Sequence, residues 1–315
     1  MKRILVCALV LLLPLFGCRS ETAHSAAGIA CDTVVTITAY APQDTVDETL
    51  RVIADWEAVL SRTVEGSDVW IVNHAGGNPV KVHPETAELL RLAVDIGEAS
   101  EGAFDVTIAP ASALWLFSAD EPKIPDRDAL QSAVSRVDYH NIVIEGNTVT
   151  LKNSAEIDLG GIAKGYIADR VAQYLREQGV TSACINMGGN VVTIGTKPDG
   201  TLWSIGVRDP NGTPEQSEEV LKLRDAAVVT SGTYERFFEA NGVRYHHILD
   251  PKTGMPVSNG LDSVTIVGAR SDLCDALSTA CFVLGEERSR SLLEQYGARA
   301  VFLYSDGTRS TFPAE

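Results

Sequence analysis

The chain has 315 residues, 45% of them hydrophobic and 22% charged, which is an ordinary globular balance and excludes long disorder and fibrous repeats. Lysine and arginine total 26 against 42 aspartates and glutamates, a formal charge of −16 that excludes a basic nucleic-acid-binding surface. The length allows one large domain or two ordinary ones.

The N-terminus reads as a targeting segment. Lys2 and Arg3 precede an apolar run from Ile4 to Phe16. That run is too short for a spanning helix, which needs about 20 residues, and has the shape of a secretory signal. It ends Leu15-Phe16-Gly17-Cys18, which resembles a bacterial lipobox. Cleavage before Cys18 would leave a lipidated cysteine at the mature N-terminus, after a signal peptide of residues 1–17. The mature chain would carry 24 basic and 42 acidic residues, a charge of −18. Residues 18–28 read as a lipidated tether, and the expected location is the bacterial cell envelope, anchored to a membrane and facing the periplasm or exterior. Cys31, Cys184, Cys274 and Cys281 remain. They have no metal-type spacing and read as buried free thiols, with a disulfide open.

Thr33–Tyr40 alternates as a strand. Val46–Ser61 and Pro84–Ala99 have helical apolar spacing, the second with proline suited to a first turn. Pro125–Val137 reads as a short helix. Ile142–Ile144 and Val149–Leu151 read as a hairpin around Gly146-Asn147. Ile162–Glu177 is a helix stopped by Gly179, and Ser182–Ile194 is two strands broken by Gly188-Gly189. Further strands are expected at Trp203–Val207, Ala227–Thr230, Val243–Leu249, Val264–Val267 and Ala300–Tyr304, with helices at Asp272–Leu284 and Glu287–Tyr296. Strands and helices mix without a regular βαβ beat, so the fold class is α+β, mixed sheets with packed helices. No P-loop, GxGxxG or GxSxG motif is present.

Three segments carry chemistry. Asp158-Leu159-Gly160-Gly161-Ile162-Ala163-Lys164 joins a strand to a helix start. Such a turn suits an anion held by backbone N–H groups and Lys164, or is a tight packing turn with a solvated lysine. Asp275 and Thr279, four residues apart, share a face of an otherwise apolar helix. Their oxygens suit Mg²⁺ rather than Zn²⁺; the other reading is Asp272 as a cap and Asp275 as an ion-pair partner. His246 and His247 end a strand before the Asp250–Gly254 turn. Adjacent strand residues face opposite sides, so only one of them serves a given site as a general base.

Taken together, these segments resemble the ApbE-type FAD:protein FMN transferases, from about Ile29 to about Val301. The matching motifs are Asp32–Ile37, Gly102–Ile108 with Leu114-Trp115, Ile157–Tyr166, Asn186–Asn190, Ser231–Arg236, His247–Pro256 and Asp275–Thr279. The resemblance implies a T-fold-related single catalytic unit over residues 29–315. It implies metal ligation by Asp275, Thr279 and the Gly161 carbonyl. It also implies FAD contacts from Cys31, Ala103, Phe104, Asp105, Asp158, Lys164 and Leu249, with His247 as base. Cys31 stands where the family often has methionine, and Ser61-Arg62-Thr63 where an aromatic residue is frequent. The implied reaction is Mg²⁺-dependent transfer of FMN from FAD to a threonine or serine of an acceptor redox or respiratory protein, releasing AMP. FAD hydrolysis and non-enzymatic flavin binding are the alternatives.

Overall fold

The computed structural model describes residues 22–117, 122–210 and 217–314. The expected signal and Cys18 lie outside them. Among the described residues no helix is long and apolar enough to cross a membrane.

In chain order the elements are β1 (His24–Ala30), β2 (Thr33–Ala39), α1 (Gln43–Leu60), α2 (Asp68–His74), β3 (Val80–Lys81), α3 (Pro84–Ala99), α4 (Ala109–Trp115) and α5 (Arg127–Val134). They continue with β4 (Ile142–Glu145), β5 (Thr148–Leu151), α6 (Ala163–Glu177), β6 (Ala183–Met187), β7 (Asn190–Ile194), β8 (Trp203–Arg208), β9 (Ser217–Leu223) and β10 (Ala227–Gly232). The last are β11 (Phe237–Ala240), β12 (Val243–His246), β13 (Leu261–Gly268), α7 (Ser271–Leu284), α8 (Glu286–Tyr296), β14 (Arg299–Tyr304) and β15 (Arg309–Phe312).

The frame is an eight-stranded sheet in the order β1-β2-β6-β7-β10-β13-β14-β15, with every neighbouring pair antiparallel. Both faces of its centre are covered. Ala227 and Val229 of β10 join the main core with α6 and α7, whereas Val228 faces a second cluster with Trp203, Ile205 and Leu221 of the β8–β9 ribbon. Two-sided burial explains why β7 is buried at all five positions and shows no alternation. The mixed α+β expectation holds. Smaller sheets (β3-β5-β4 and β11-β12) carry the outer lobes.

The 18–28 tether is too long as expected. His24–Ala30 is the edge strand β1, paired along its length with β2. Its small residues have weak strand propensity, and its turn is Cys31-Asp32, both at positive φ (50° and 56°), instead of the Asn-Gly usual for such a hairpin. The strand expected over Val243–Leu249 stops at His246. The four described cysteines are free thiols; Cys274 and Cys281 are buried, and Cys31 and Cys184 partly so.

Helices α6 and α7 cross at Gly165. A Cβ there would lie 2.2 Å from the Ser271 carbonyl oxygen, so only glycine admits this approach. Helix α7 is capped from across the crossing. Asp169 accepts hydrogen bonds from the N–H groups of Ser271 (2.9 Å) and Asp272 (3.0 Å). Asp272 is therefore not the cap; it is held by Arg270 at 2.6 Å.

Candidate active site

The crossing brings two of the three motifs together. Asp275, 3% exposed, accepts a hydrogen bond from the Gly165 N–H at 2.9 Å. Its other oxygen lies 3.7 Å from Lys164 Nζ, which also donates to the Gly160 carbonyl at 3.2 Å. Burial alone would drive the ammonium toward neutrality. The Asp275 and Glu235 carboxylates outweigh it and hold Lys164 above its ordinary value. Burial pushes Asp275 up, against the pull of Lys164 and the Gly165 N–H. A lysine in the first turn opposes the helix dipole, and this buried carboxylate answers for it. The ion-pair reading of Asp275 is thus satisfied by lysine.

Thr279 lies one turn beyond Asp275. Its Oγ1 is 3.4 Å from Ser231 Oγ, which meets Ser278 Oγ at 2.7 Å. A Cβ on Gly161 would lie 3.5 Å from Thr279 Oγ1 and 3.1 Å from the Phe104 ring, so the glycine turn presses its backbone against both. Carboxylate, hydroxyl and backbone form an oxygen set. Among the described residues no group of three or more His, Cys, Asp or Glu side chains forms a metal cluster. The set fits Mg²⁺, which takes few protein oxygens and keeps waters, and does not fit a zinc cage.

The rest of the rim is positioned by turns. Asp158 accepts from the Gly160 N–H (2.9 Å) and pairs with Arg62 Nε (3.1 Å). Cys31 donates its N–H to Glu57 at 2.9 Å, and burial, with the Glu57 charge, pushes its thiol up to about 12. Such a shift disfavours the thiolate. Gly188, at φ 63°, abuts Thr33, where a Cβ would meet Oγ1 at 2.1 Å. A Cβ on Gly189 would lie 3.7 Å from a Glu235 carboxylate oxygen, so this turn and Glu235 adjoin.

The two histidines enter different surroundings, although His247 lies just past the end of the strand. His246 is core: its Nε2 lies 2.9 Å from the Val257 carbonyl and its ring meets Phe282 edge-on. His247 faces the charged site. Its backbone N–H donates to the Arg236 carbonyl at 3.0 Å, and its Nδ1 is buried with no protein partner among the described residues. Burial, reinforced by the Arg236 and Lys164 charges, pushes the imidazole down to about 3, so it is neutral at physiological pH.

Not every expected contact residue turns a side chain to this centre. The Asp105 carboxylate is tied inward by the Thr107 N–H (2.8 Å), the Thr107 hydroxyl (2.6 Å) and the Tyr139 N–H (2.9 Å). Ala103 and Phe104 are buried beside it, and Phe104 alone reaches Gly161. Leu249 packs with Ala111, Trp115, Leu130 and Ala133 in a satellite cluster, next to the Asp250–Gly254 turn, whose Gly254 carbonyl accepts from Trp115 Nε1 at 2.8 Å. Arg62, Ser231, Glu235 and Arg236 lie in segments noted in the sequence, which gave them no individual role. Arg62 meets Asp158, Ser231 meets Ser278 and Arg236 meets Asp32, each more than 40 residues away, and no local spacing announces such pairs.

The family model described as the ApbE family matches residues 31–302. The chain belongs to the ApbE family. An FAD:protein FMN transferase of Treponema pallidum is 39% identical over 278 residues, covering 82% of this chain and 77% of that protein. One from Klebsiella pneumoniae is 37% identical over 249 residues, covering 78% and 77%. Among solved structures, an ApbE protein from Thermotoga maritima superposes with TM-score 0.85 at 34% identity, covering 92% of this chain and 96% of that one. The flavin transferase ApbE from Vibrio cholerae gives 0.83 at 28%, with the same coverage. The ApbE match takes in the glycine turn, the α6–α7 crossing and His247 alike.

Proposed function

We propose that the protein is an FAD:protein FMN transferase that moves FMN from FAD to a threonine or serine hydroxyl of an acceptor protein, with AMP as leaving group. The observation that carries this reading is the convergence of Lys164, Asp275, Thr279 and the Gly160-Gly161 turn at one crossing, with a neutral His247 facing the same charges. The curated relatives support it.

Lys164 and the glycine turn would hold the diphosphate oxygens of FAD. Asp275, Thr279 and the Gly161 carbonyl would hold Mg²⁺, which supplies neutralisation of charge on the diphosphate. His247 would accept the proton of the incoming hydroxyl. The hydroxyl oxygen forms a bond to the FMN phosphorus, the bond from that phosphorus to the bridging oxygen breaks, and AMP leaves with the bridging oxygen. An anionic diphosphate beside Lys164 would offset the part of the His247 depression that comes from the Arg236 and Lys164 charges, while burial, its larger cause, would remain.

The acceptor is a redox or respiratory protein. The same proposal places the enzyme in the bacterial envelope, lipid-anchored through Cys18. The test incubates the protein with FAD, Mg²⁺ and a co-occurring redox subunit, then reads in-gel flavin fluorescence after denaturation. Covalent fluorescence on the acceptor, abolished by EDTA, is expected. Rapid release of free FMN with no labelled acceptor would instead make the protein an FAD hydrolase.

A further inference from the structure

Between β5 and α6 the chain runs into the glycine turn without joining any of the sheets. Glu156 makes an isolated bridge to Ile108, and the Asp158 N–H donates to the Val106 carbonyl at 2.7 Å. Ile157, between them, is fully buried. Its backbone N–H and carbonyl both need partners there, because a polar group buried without a hydrogen bond is costly. One side chain supplies both. Asn73 Oδ1 accepts from the Ile157 N–H at 2.7 Å, and Asn73 Nδ2 donates to the Ile157 carbonyl at 2.9 Å. The amide makes the two bonds that a residue on a neighbouring antiparallel strand would exchange. A carboxylate of the same shape could not, since it has no donor.

Asn73 stands on a fixed platform. Val69 and Val72 of α2 are buried in the main core. The Ser67 hydroxyl caps the helix by accepting from the Trp70 N–H at 3.0 Å. The Asp68 carboxylate accepts from the His83 N–H (2.8 Å) and the Thr86 hydroxyl (2.6 Å), which ties α2 to the start of α3. The same stretch of chain grips the turn a second time, because Arg62 pairs with Asp158. Arg62 and Asn73 thus hold adjacent residues just ahead of Gly160, Gly161 and Lys164. The grip on Asp158 is a partly exposed ion pair, and the grip on Ile157 is a two-bonded contact to buried backbone. The turn they hold has little slack, for a Cβ on Gly161 would lie 3.1 Å from the Phe104 ring and 3.5 Å from Thr279 Oγ1.

We propose that Asn73 is a positioning residue for the diphosphate-binding turn. By bonding both backbone groups of Ile157, it sets where Gly160, Gly161 and Lys164 stand relative to Asp275 and Thr279. The inference rests on the transferase reading of that turn. Asn73 acts only through the Ile157 backbone.

The test measures flavin transfer by in-gel fluorescence at varied FAD and at varied acceptor, well below the Tm of each protein. FAD binding is followed separately by fluorescence quenching. Asn73→Ala removes both bonds, and Asn73→Asp keeps the acceptor and loses the donor. Thr86→Val is the stability control, since it removes a buried bond to α2 and leaves the Ile157 contacts in place. Both Asn73 variants should raise the KM for FAD at least about fivefold and leave the KM for the acceptor unchanged. Thr86→Val should lower Tm and change neither KM. Should Asn73→Ala fail to fold, Asn73→Asp decides. A smaller rise in the FAD KM of a folded Asn73 variant overturns the proposal, and so does an equal rise in Thr86→Val. An unsubstituted protein that neither binds FAD nor labels the acceptor overturns the transferase reading, and this inference with it.

Discussion

The α6–α7 crossing and the rim around Cys31-Asp32 border the same site and are built in opposite ways. At the crossing, charges sit at low exposure and the backbones meet with no clearance. Asp275 is 3% exposed, and Gly165 has no space for a methyl group. At the rim, Asp32 and Arg236 pair loosely at 3.6 Å, with side chains 86% and 45% exposed. The contrast teaches where the site stores its precision. A buried pair that loses one partner leaves an uncompensated charge, whereas an exposed pair exchanges its partner for water. On the proposed function, the chemistry would be anchored at the crossing, and the exposed rim would be where an acceptor protein approaches.

Substitutions should break this contrast in a graded way. The largest effect is expected at Asp275→Ala, which removes the carboxylate proposed to hold the metal and takes from Lys164 its closest carboxylate partner. Flavin transfer should fall by about a thousandfold or more, read as in-gel fluorescence of the acceptor over time. Transfer at undiminished rate would detach Asp275 from the reaction. His247→Ala should slow transfer by about 10²–10⁴-fold while FAD binding, followed by flavin fluorescence quenching, is retained. A variant that binds FAD poorly would assign His247 to binding instead.

Gly165→Ala tests the crossing as a scaffold. Overpacking against the Ser271 carbonyl should cost about 3 kcal/mol, a Tm loss of roughly 5 °C or more by calorimetry. An unchanged Tm would show that the helices can part.

Asp169 provides a pH test of the same scaffold. Burial, its leading influence, raises its carboxyl from 3.8 to about 6. The native state then binds more protons than the unfolded chain between those values. This group's contribution to stability is therefore greatest below about pH 4, falls as pH rises through 6, and is constant above. Asp169→Asn should remove that slope, a difference on the order of 2–3 kcal/mol across the window. Parallel pH profiles for the two proteins would contradict the shift.

The smallest effect is expected at the rim. Arg236→Gln removes an exposed pair worth about 0.2–1 kcal/mol and should change transfer less than tenfold. A loss as large as that at His247 would move the rim into the chemical machinery.

The amino-acid sequence by itself determined the helices with continuous apolar stripes. Pro84–Ala99 ends where its pattern ends, and α1, α6, α7 and α8 lie within a few residues of expectation. It also determined the glycine turn leading to Lys164 and the Asp275–Thr279 spacing, because these depend on residues within one or two turns of each other. Edge strand β1 was hidden because its small residues are strand-forming only when β2 supplies the hydrogen bonds. Only the tertiary structure decided that Asp275 meets Lys164 and the Gly165 N–H across 110 residues, that Asp169 caps α7, and that Asp105 turns inward. Local pattern carries burial preference and backbone propensity. Partnership between charges depends on which helices cross and how closely, and here the missing side chain of Gly165 permits that crossing.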